Sequence, residues 1–241
     1  MKTDIYNTHI NFSDIRKRFG QKQILDNSEI EITSGKCILL CGKNGSGKTT
    51  FLRIIAGLET PDSGFVNTGL GKYHWKKCRQ QLRNSVVYLH QQPYMFEGDV
   101  ISNLNFSLDN KLKQKQRLQR IRSALEWAGL ESIAENSAKT LSGGELQRVA
   151  ITRAWLRNPK ILLLDEPVTN MDYESRLRTI DLLLNLKQQG VALVVSSHDP
   201  VHFEALTDNW LQLSEGRLSD YTSSENITPI HYKKYIYEHT Y

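Results

Sequence analysis

The 241-residue sequence has no apolar run near the roughly 20 residues that a membrane-crossing helix needs; its apolar runs are short, such as Val191–Val195. A membrane span is not expected. The opening residues Met1-Lys2-Thr3-Asp4-Ile5-Tyr6 lack the apolar stretch of a signal peptide, so export is not expected either. Cysteine is scarce, and Cys37, Cys41 and Cys78 have no metal-ligand spacing. Cys37 and Cys41 flank Ile38-Leu39-Leu40 on what reads as a buried strand, where a thiol serves as a small hydrophobe. That usage suits a reducing cytosol and excludes a disulfide scaffold. There is no internal repeat and no long linker. The run Lys111–Arg122 contains no acid, but its bases are scattered around a helix and no aromatic residues interleave for stacking. It reads as a solvated face, and no nucleic acid partner is expected.

What is present is ordinary in composition and specific in its motifs. Hydrophobic residues make up 39% and charged residues 24%, values of a folded, water-facing chain with room for a sizeable core. The net charge of +5 and pI near 9.0 suit contact with a polyanion such as a nucleotide or an anionic membrane face, or serve only solubility. Short apolar strands alternate with helical patterns, as in an α/β domain with a largely parallel sheet. Strands are expected at Lys36–Cys41, Ser85–Leu89, Ile161–Leu164 and Val191–Ser196, with helices over Thr49–Ala56, closed by Gly57, and over Tyr173–Gln189. From Gln92 to about Asn158 the pattern reads as helical, with Leu118, Ile121, Leu125 and Ala128 on one apolar face. The tail from Tyr221, with Tyr232, Tyr235, Tyr237 and Tyr241, is expected to pack on the core or stay partly disordered.

The chemistry begins at Gly42-Lys43-Asn44-Gly45-Ser46-Gly47-Lys48-Thr49, between a strand and a helix. Backbone N–H groups can surround phosphate oxygens only where side chains do not crowd the turn, which accounts for Gly42, Gly45 and Gly47. Lys48 supplies charge to the outer phosphates and Thr49 a hydroxyl ligand for Mg²⁺, while the following helix aims its positive end at the same anion. Asn44, Ser46 and Thr50 complete the candidate nucleotide-binding set. Asp165 ends an apolar strand, from where its carboxylate reaches a ligand at the sheet's crevice and can hold Mg²⁺. Glu166 follows, on the opposite side of the pleat if the strand continues, as a candidate to orient or deprotonate an attacking water.

A second glycine motif, Leu141-Ser142-Gly143-Gly144-Glu145, fits a capping box. Its helix should run from Glu145 to about Arg157, with Leu146, Val149, Ala150 and Ala154 on one face. The bare N–H groups beside the two glycines make a second anion site. One phosphate tail does not require two such sites within one subunit. A simple explanation is that Ser142, Gly143, Gly144 and Glu145 complete a neighbouring subunit's nucleotide pocket.

The run Leu141–Arg148 followed by Ile161–Pro167, behind the phosphate loop, resembles the ATP-binding cassette (ABC) ATPase family over nearly the whole chain. The resemblance implies a P-loop α/β fold: a RecA-like core over about 1–91 and 159–241, with a β-subdomain, and a helical insert over about 92–158. It implies ATP and Mg²⁺ as ligands. Phe19 matches the aromatic residue that stacks on adenine, and Gln91 the glutamine that senses Mg²⁺ and the transporter interface. His198 matches the switch histidine at the γ-phosphate, and Asp172 the aspartate that communicates across the dimer. The catalytic set is then Glu166, His198, Gln91 and Lys48, with Thr49, Gln91 and Asp165 at the metal. One departure is Thr169-Asn170-Met171-Asp172, where the family often reads Ser-Ala-Leu-Asp; it could alter coupling between two ATP sites.

The implied assembly is two cassettes, as a homodimer or a pair with a related cassette, clamped head to tail on two ATP molecules. Transmembrane permease subunits and an extracytoplasmic solute-binding protein would complete it, placing the chain on the cytoplasmic face of the cell membrane. Chromosome-type ABC ATPases would carry a long coiled coil between the two glycine motifs, and ribosome-associated ones typically two cassettes. A regulatory ABC ATPase acting on a membrane complex would look similar. The chain is short for the extra C-terminal domain of many sugar-type importers. The stretch Val87–Asn103 is similar to small oxyanion importers, particularly tungstate-type cassettes, which makes an oxyanion such as tungstate or molybdate one candidate cargo; the substrate is selected by the permease and receptor and stays open.

Overall fold

The computed structural model describes residues 9–221; the tyrosine-rich tail and the first eight residues lie outside them. Two sheets form the frame. An antiparallel sheet holds β1 (His9–Phe19), β2 (Lys22–Thr33), β4 (Ser63–Asn67) and β5 (Lys72–His74) in the order β2-β1-β4-β5. A six-stranded sheet holds β3 (Cys37–Cys41), β6 (Val86–Leu89), β7 (Ile161–Asp165), β8 (Ala192–Ser196), β9 (Asn209–Ser214) and β10 (Arg217–Asp220) in the order β10-β9-β3-β8-β7-β6. All its neighbours are parallel except the terminal β9–β10 hairpin.

The central strands are apolar on both faces because both are covered, as parallel sheets require. Alternation sorts their side chains into two cores. Ile38, Leu40, Ile161, Leu163, Ala192 and Val194 face the antiparallel sheet and helices α1 (Lys48–Ile55) and α2 (Trp75–Ser85). Leu39, Leu162, Leu164, Leu193 and Val195 face the remaining helices. Cys37, Cys41 and Cys78 are free and buried, the first two with thiols pushed up by burial to about 12 and about 11. They act as small core residues, as expected.

The strand positions expected from apolar runs hold to within a residue, as do α1 and α6 (Tyr173–Gln188). The expected helical pattern from Gln92 does not. Residues 92–99 form a loop, followed by the short α3 (Val100–Asn105), α4 (Gln114–Ala128) and α5 (Gly143–Leu156). Leu118 is also misplaced by the pattern: Ile121, Ala124, Leu125 and Ala128 are buried, whereas Leu118 is 59% exposed. The buried stripe of α4 centres near Ile121 and Ala124, leaving Leu118 at its margin. Trp127 of α4 and Trp155 of α5 stack with centroids 4.9 Å apart and planes within 9°. The basic run is mostly a solvated face, with Arg117 turned back to the Asn105 and Asp109 carbonyls.

Candidate functional site

The site sits at the C-terminal edge of the parallel sheet, where β3, β7 and β8 release their loops. Asp165 ends β7 on the same face as Ile161 and Leu163, which is the face α1 covers. Strand register places Ser196 of β8 beside it, and Tyr88 of β6 lies on the same face. The Asp165 carboxylate therefore accepts from three hydroxyls: Thr49 at 2.6 Å and Tyr88 at 3.0 Å on Oδ2, and Ser196 at 2.5 Å on Oδ1. Burial, followed by the Asp165 charge, pushes the Tyr88 phenol well above its usual range, so it remains a neutral donor.

Glu166 does not continue the strand. Its φ is +50°, a left-handed conformation that costs a non-glycine residue about 1 kcal/mol. The backbone N–H is held by the Ser196 carbonyl at 3.1 Å and its hydroxyl at 3.2 Å. The condition for a placement across the pleat, a strand that continues, is therefore not met: the turn swings the Glu166 side chain into the same cavity as Asp165. Its Oε2 is 2.8 Å from His198 Nδ1 and accepts from Thr169 Oγ1 at 3.2 Å, and its Oε1 is 3.7 Å from Lys48 Nζ. Lys48 also donates to the Gly42 carbonyl at 2.7 Å, and only 7% of its side chain is exposed.

These groups line one cavity of about 480 Å³ with Phe19, Asn44, Gly45, Gly47, Thr50 and Gln91. Gln92, next in sequence to Gln91, is not in its lining. The loop needs its glycines at Gly42, where a Cβ would sit 2.7 Å from the Leu213 carbonyl oxygen, and at Gly47, where φ is +109° and a Cβ would sit 2.9 Å from the Ile24 side chain. No side chain caps the start of α1, so the first-turn N–H groups remain available to an anion. Ser46 Oγ is buried without a partner, and Gly42 backs directly on it. Phe19 is half exposed and carries Lys17 Nζ 4.7 Å from its ring centroid.

Mg²⁺ favours a few hard oxygen ligands and keeps water and substrate phosphates for the rest. The Thr49 hydroxyl, the Asp165 carboxylate and the Gln91 amide offer oxygen donors only, and Thr49 and Asp165 are already in contact. Among the described residues no cluster of three or more His, Cys, Asp or Glu side chains competes as a metal cage. The residues present fit Mg²⁺.

Ser142–Glu145 stand apart from this cavity. Ser142 caps α5: its Oγ accepts from Glu145 N at 3.3 Å while the Glu145 carboxylate accepts from Ser142 N at 2.8 Å. The expected capping box is present, with the helix beginning at Gly143, two residues earlier than expected. The tip presses on α6, where a Cβ on Gly144 would come within 2.5 Å of Ser175 Cβ. Asp172 caps α6 by accepting from Ser175 N at 2.9 Å.

Reading the sequence missed Tyr88, Ser196, Thr169 and Ile24 as members of the site. Tyr88 and Ser196 share strand parity with Asp165, but only the strand order makes them neighbours.

The ABC transporter family pattern matches residues 25–169. The chain is 35% identical over 213 residues to the spermidine/putrescine import ATP-binding protein PotA of Marinobacter nauticus, covering 87% of this chain and 56% of that protein. It is 34% identical to the cell division ATP-binding protein FtsE of Mycobacterium tuberculosis, over 80% of this chain and 86% of that one. Against the import ATP-binding proteins PotA and FbpC, the chain spans only about 56–65% of their length. Among solved structures, it superposes on cbiO1 of Clostridium perfringens with a TM-score of 0.78 at 25% identity, covering 87% and 86% of the two chains. A dimeric cassette, MJ0796, in a post-hydrolysis state with ADP and phosphate, gives 0.74 at 26% identity, covering 88% and 98%.

Proposed function

The chain belongs to the ABC transporter family of ATP-binding cassettes, and we propose that it hydrolyses ATP between two such cassettes to drive a membrane partner. The observation that carries this reading is the convergence of Thr49, Asp165, Glu166, His198 and Lys48 on one cavity beside an uncapped helix start. In the proposed reaction, Phe19 stacks on adenine through the ring face that Lys17 leaves free. The loop N–H groups and Lys48 hold the phosphates. Thr49, Asp165 and Gln91 would hold Mg²⁺, which when bound neutralises charge on the phosphates. Glu166 accepts a proton from the water that attacks the γ-phosphorus, and the bond to the bridging oxygen breaks to leave ADP and phosphate. His198, bonded to Glu166, keeps that carboxylate aimed and faces the terminal phosphate. Ser142–Glu145 of a second copy, or of a related cassette, would close the site with their free N–H groups.

The permease reading has a surface to rest on. A groove of about 790 Å³ opens between the sheet edge and the helical insert (about 92–158), lined by Tyr94, Phe96, Phe106, Arg120, Arg153 and Arg157. Tyr94 and Phe106 are largely exposed, and Arg153 sits 4.8 Å from the Phe96 ring. An exposed aromatic and cationic groove suits a protein partner. It adjoins His90 and Pro93, which flank Gln91, so a docked permease would be linked to the metal site. Among the described residues no helix is long and apolar enough to cross a membrane. Separate permease subunits, a solute-binding protein outside, and a place on the cytoplasmic membrane face complete the import reading.

For cargo, tungstate or molybdate rests only on the local likeness of Val87–Asn103. The relatives' names concern polyamines, Fe(3+) ions and aliphatic sulfonates. The second reading, a regulatory ATPase on a membrane complex, is favoured by the likeness to FtsE.

Glu166→Gln tests the engine. It should lower turnover by about 100-fold or more and accumulate an ATP-bound dimer on size exclusion. Wild-type turnover in this variant would remove Glu166 from the reaction. Co-purification of membrane subunits, followed by a screen for solutes that stimulate the ATPase, separates import from regulation.

A further inference from the structure

The departure at Thr169–Asp172 leads to a cluster outside the nucleotide cavity. Arg176, in the first turn of α6, donates from Nη2 to the Met171 carbonyl at 3.1 Å. Its Nη1 lies 3.2 Å from Nδ1 and 2.9 Å from Nε2 of His202. His202 Nε2 is in turn 3.1 Å from Asp199 Oδ2. A guanidinium can only donate and an ionised carboxylate only accept. The arrangement that serves both has a neutral imidazole, with its Nε2 proton toward Asp199 and its Nδ1 lone pair toward Arg176. Burial, aided by the Arg176 charge and opposed by Asp199, holds the imidazole below its ordinary range, which favours that neutral form.

This contact has a partner at the other end of the same two loops. The loop after β7 carries Glu166 through Asp172, and the loop after β8 carries His198 through His202. They meet at the cavity through Glu166, which contacts both His198 and Thr169. They meet again on the far side through Met171–Arg176–His202–Asp199. Asp199 directly follows His198, and its backbone N–H is braced by Ser197 Oγ at 3.0 Å. The two loops are therefore in contact at both ends.

We propose that Arg176 and His202 are positioning residues: their bridge to Asp199 locks the loop bearing Asp172 to the loop bearing His198, so that both move as one unit. This rests on the reading of Glu166 and His198 as the reacting pair. It makes the cationic Arg176 and a hydrogen-bonding side chain at position 202 requirements of turnover, although neither lines the nucleotide cavity.

The test uses the full chain and compares wild type with His202→Ala, His202→Gln and Arg176→Ala. A glutamine amide can accept from Arg176 and donate to Asp199, so it preserves the bridge while removing the ring. His202→Ala is expected to lower kcat about tenfold, the scale of a small misplacement of a reacting group, with KM for ATP unchanged. His202→Gln should recover most of that loss, and Arg176→Ala combined with His202→Ala should be no slower than the slower single variant. Hydrogen exchange gives an independent readout, with faster exchange in 169–172 and 197–203 together in His202→Ala. Wild-type kcat in His202→Ala, no recovery by glutamine, or exchange that rises only around position 202 would each overturn the bridge. Glu166→Gln runs alongside: full turnover there breaks the assignment of the reacting pair and leaves the exchange result to judge the bridge.

Discussion

Two glycine-bearing helix starts in this chain face opposite situations. At the start of α1 the surroundings are built in: Asp165, Glu166, His198 and the loop itself are held by one another, and Lys48 is nearly enclosed. At the start of α5 the capping box and the contact with Ser175 of α6 hold the tip, and Ser142 and Gly143 are exposed, outside the cavity that Lys48, Asp165 and Glu166 line. The first carries its reactive groups with it, whereas the second presents donors and nothing to react. The difference teaches that helix-start geometry is generic and that function comes from what the rest of the fold sets opposite it.

The contrast can be broken from either side. The largest effect is expected at the self-contained start, where Lys48→Ala removes the enclosed cation and should weaken ATP binding by about 100-fold, measured by titration calorimetry. Unchanged affinity would show that the loop binds without its lysine. At the other start, Ser142→Arg places a bulky cation over the exposed tip. Steady-state turnover should fall by about 100-fold while the monomer's ATP affinity stays that of wild type. Retained turnover would mean that the tip does not face a second cassette's nucleotide.

Smaller effects probe the tip's support. An alanine at Gly144 would normally favour a helix by about 1 kcal/mol, but here its methyl would overlap Ser175 Cβ, which is fixed on α6. Gly144→Ala should therefore destabilise the fold by about 1 kcal/mol, the lower range for overpacking, seen as a lower midpoint in urea. The smallest effect belongs to Glu145→Ala, about 0.5 kcal/mol for one partly exposed hydrogen-bonded cap. The Ser142 N–H holds the Glu145 carboxyl below its usual 4.5. A depressed acid stabilises the fold above its unfolded pKa and loses that contribution as pH falls. The gap between variant and wild type should thus close below about pH 4.5; a gap that persists there would deny the charge any part in the cap.

Legibility in the sequence followed the range of the interactions. The strands β3, β7 and β8 could be read because apolar runs of that length, bounded by turn residues, need no distant partner for recognition. The capping box was equally local. The antiparallel sheet escaped the periodicity because β1 and β2 are interrupted by left-handed residues at Asp14 and Asn27, which break their alternation. Family resemblance had implied such a subdomain without placing its strands. Glu166 could be picked out as a carboxylate at the end of an apolar strand, but not its direction, since its left-handed turn depends on the Ser196 contacts from another strand. Tyr88 reaches Asp165 across 77 positions, a relation set by sheet order that no local pattern carries.

The stacked pair Trp127–Trp155 offers a way to watch the insert without labels. One ring rides on α4 and the other on α5, the helix whose tip carries Ser142. Indoles in contact couple electronically, giving a paired circular-dichroism band in the far ultraviolet whose size and sign depend on the separation and mutual orientation of the rings. The molecule therefore carries its own optical ruler between those two helices. Following that band through a single ATP turnover would report when the insert changes shape relative to phosphate release.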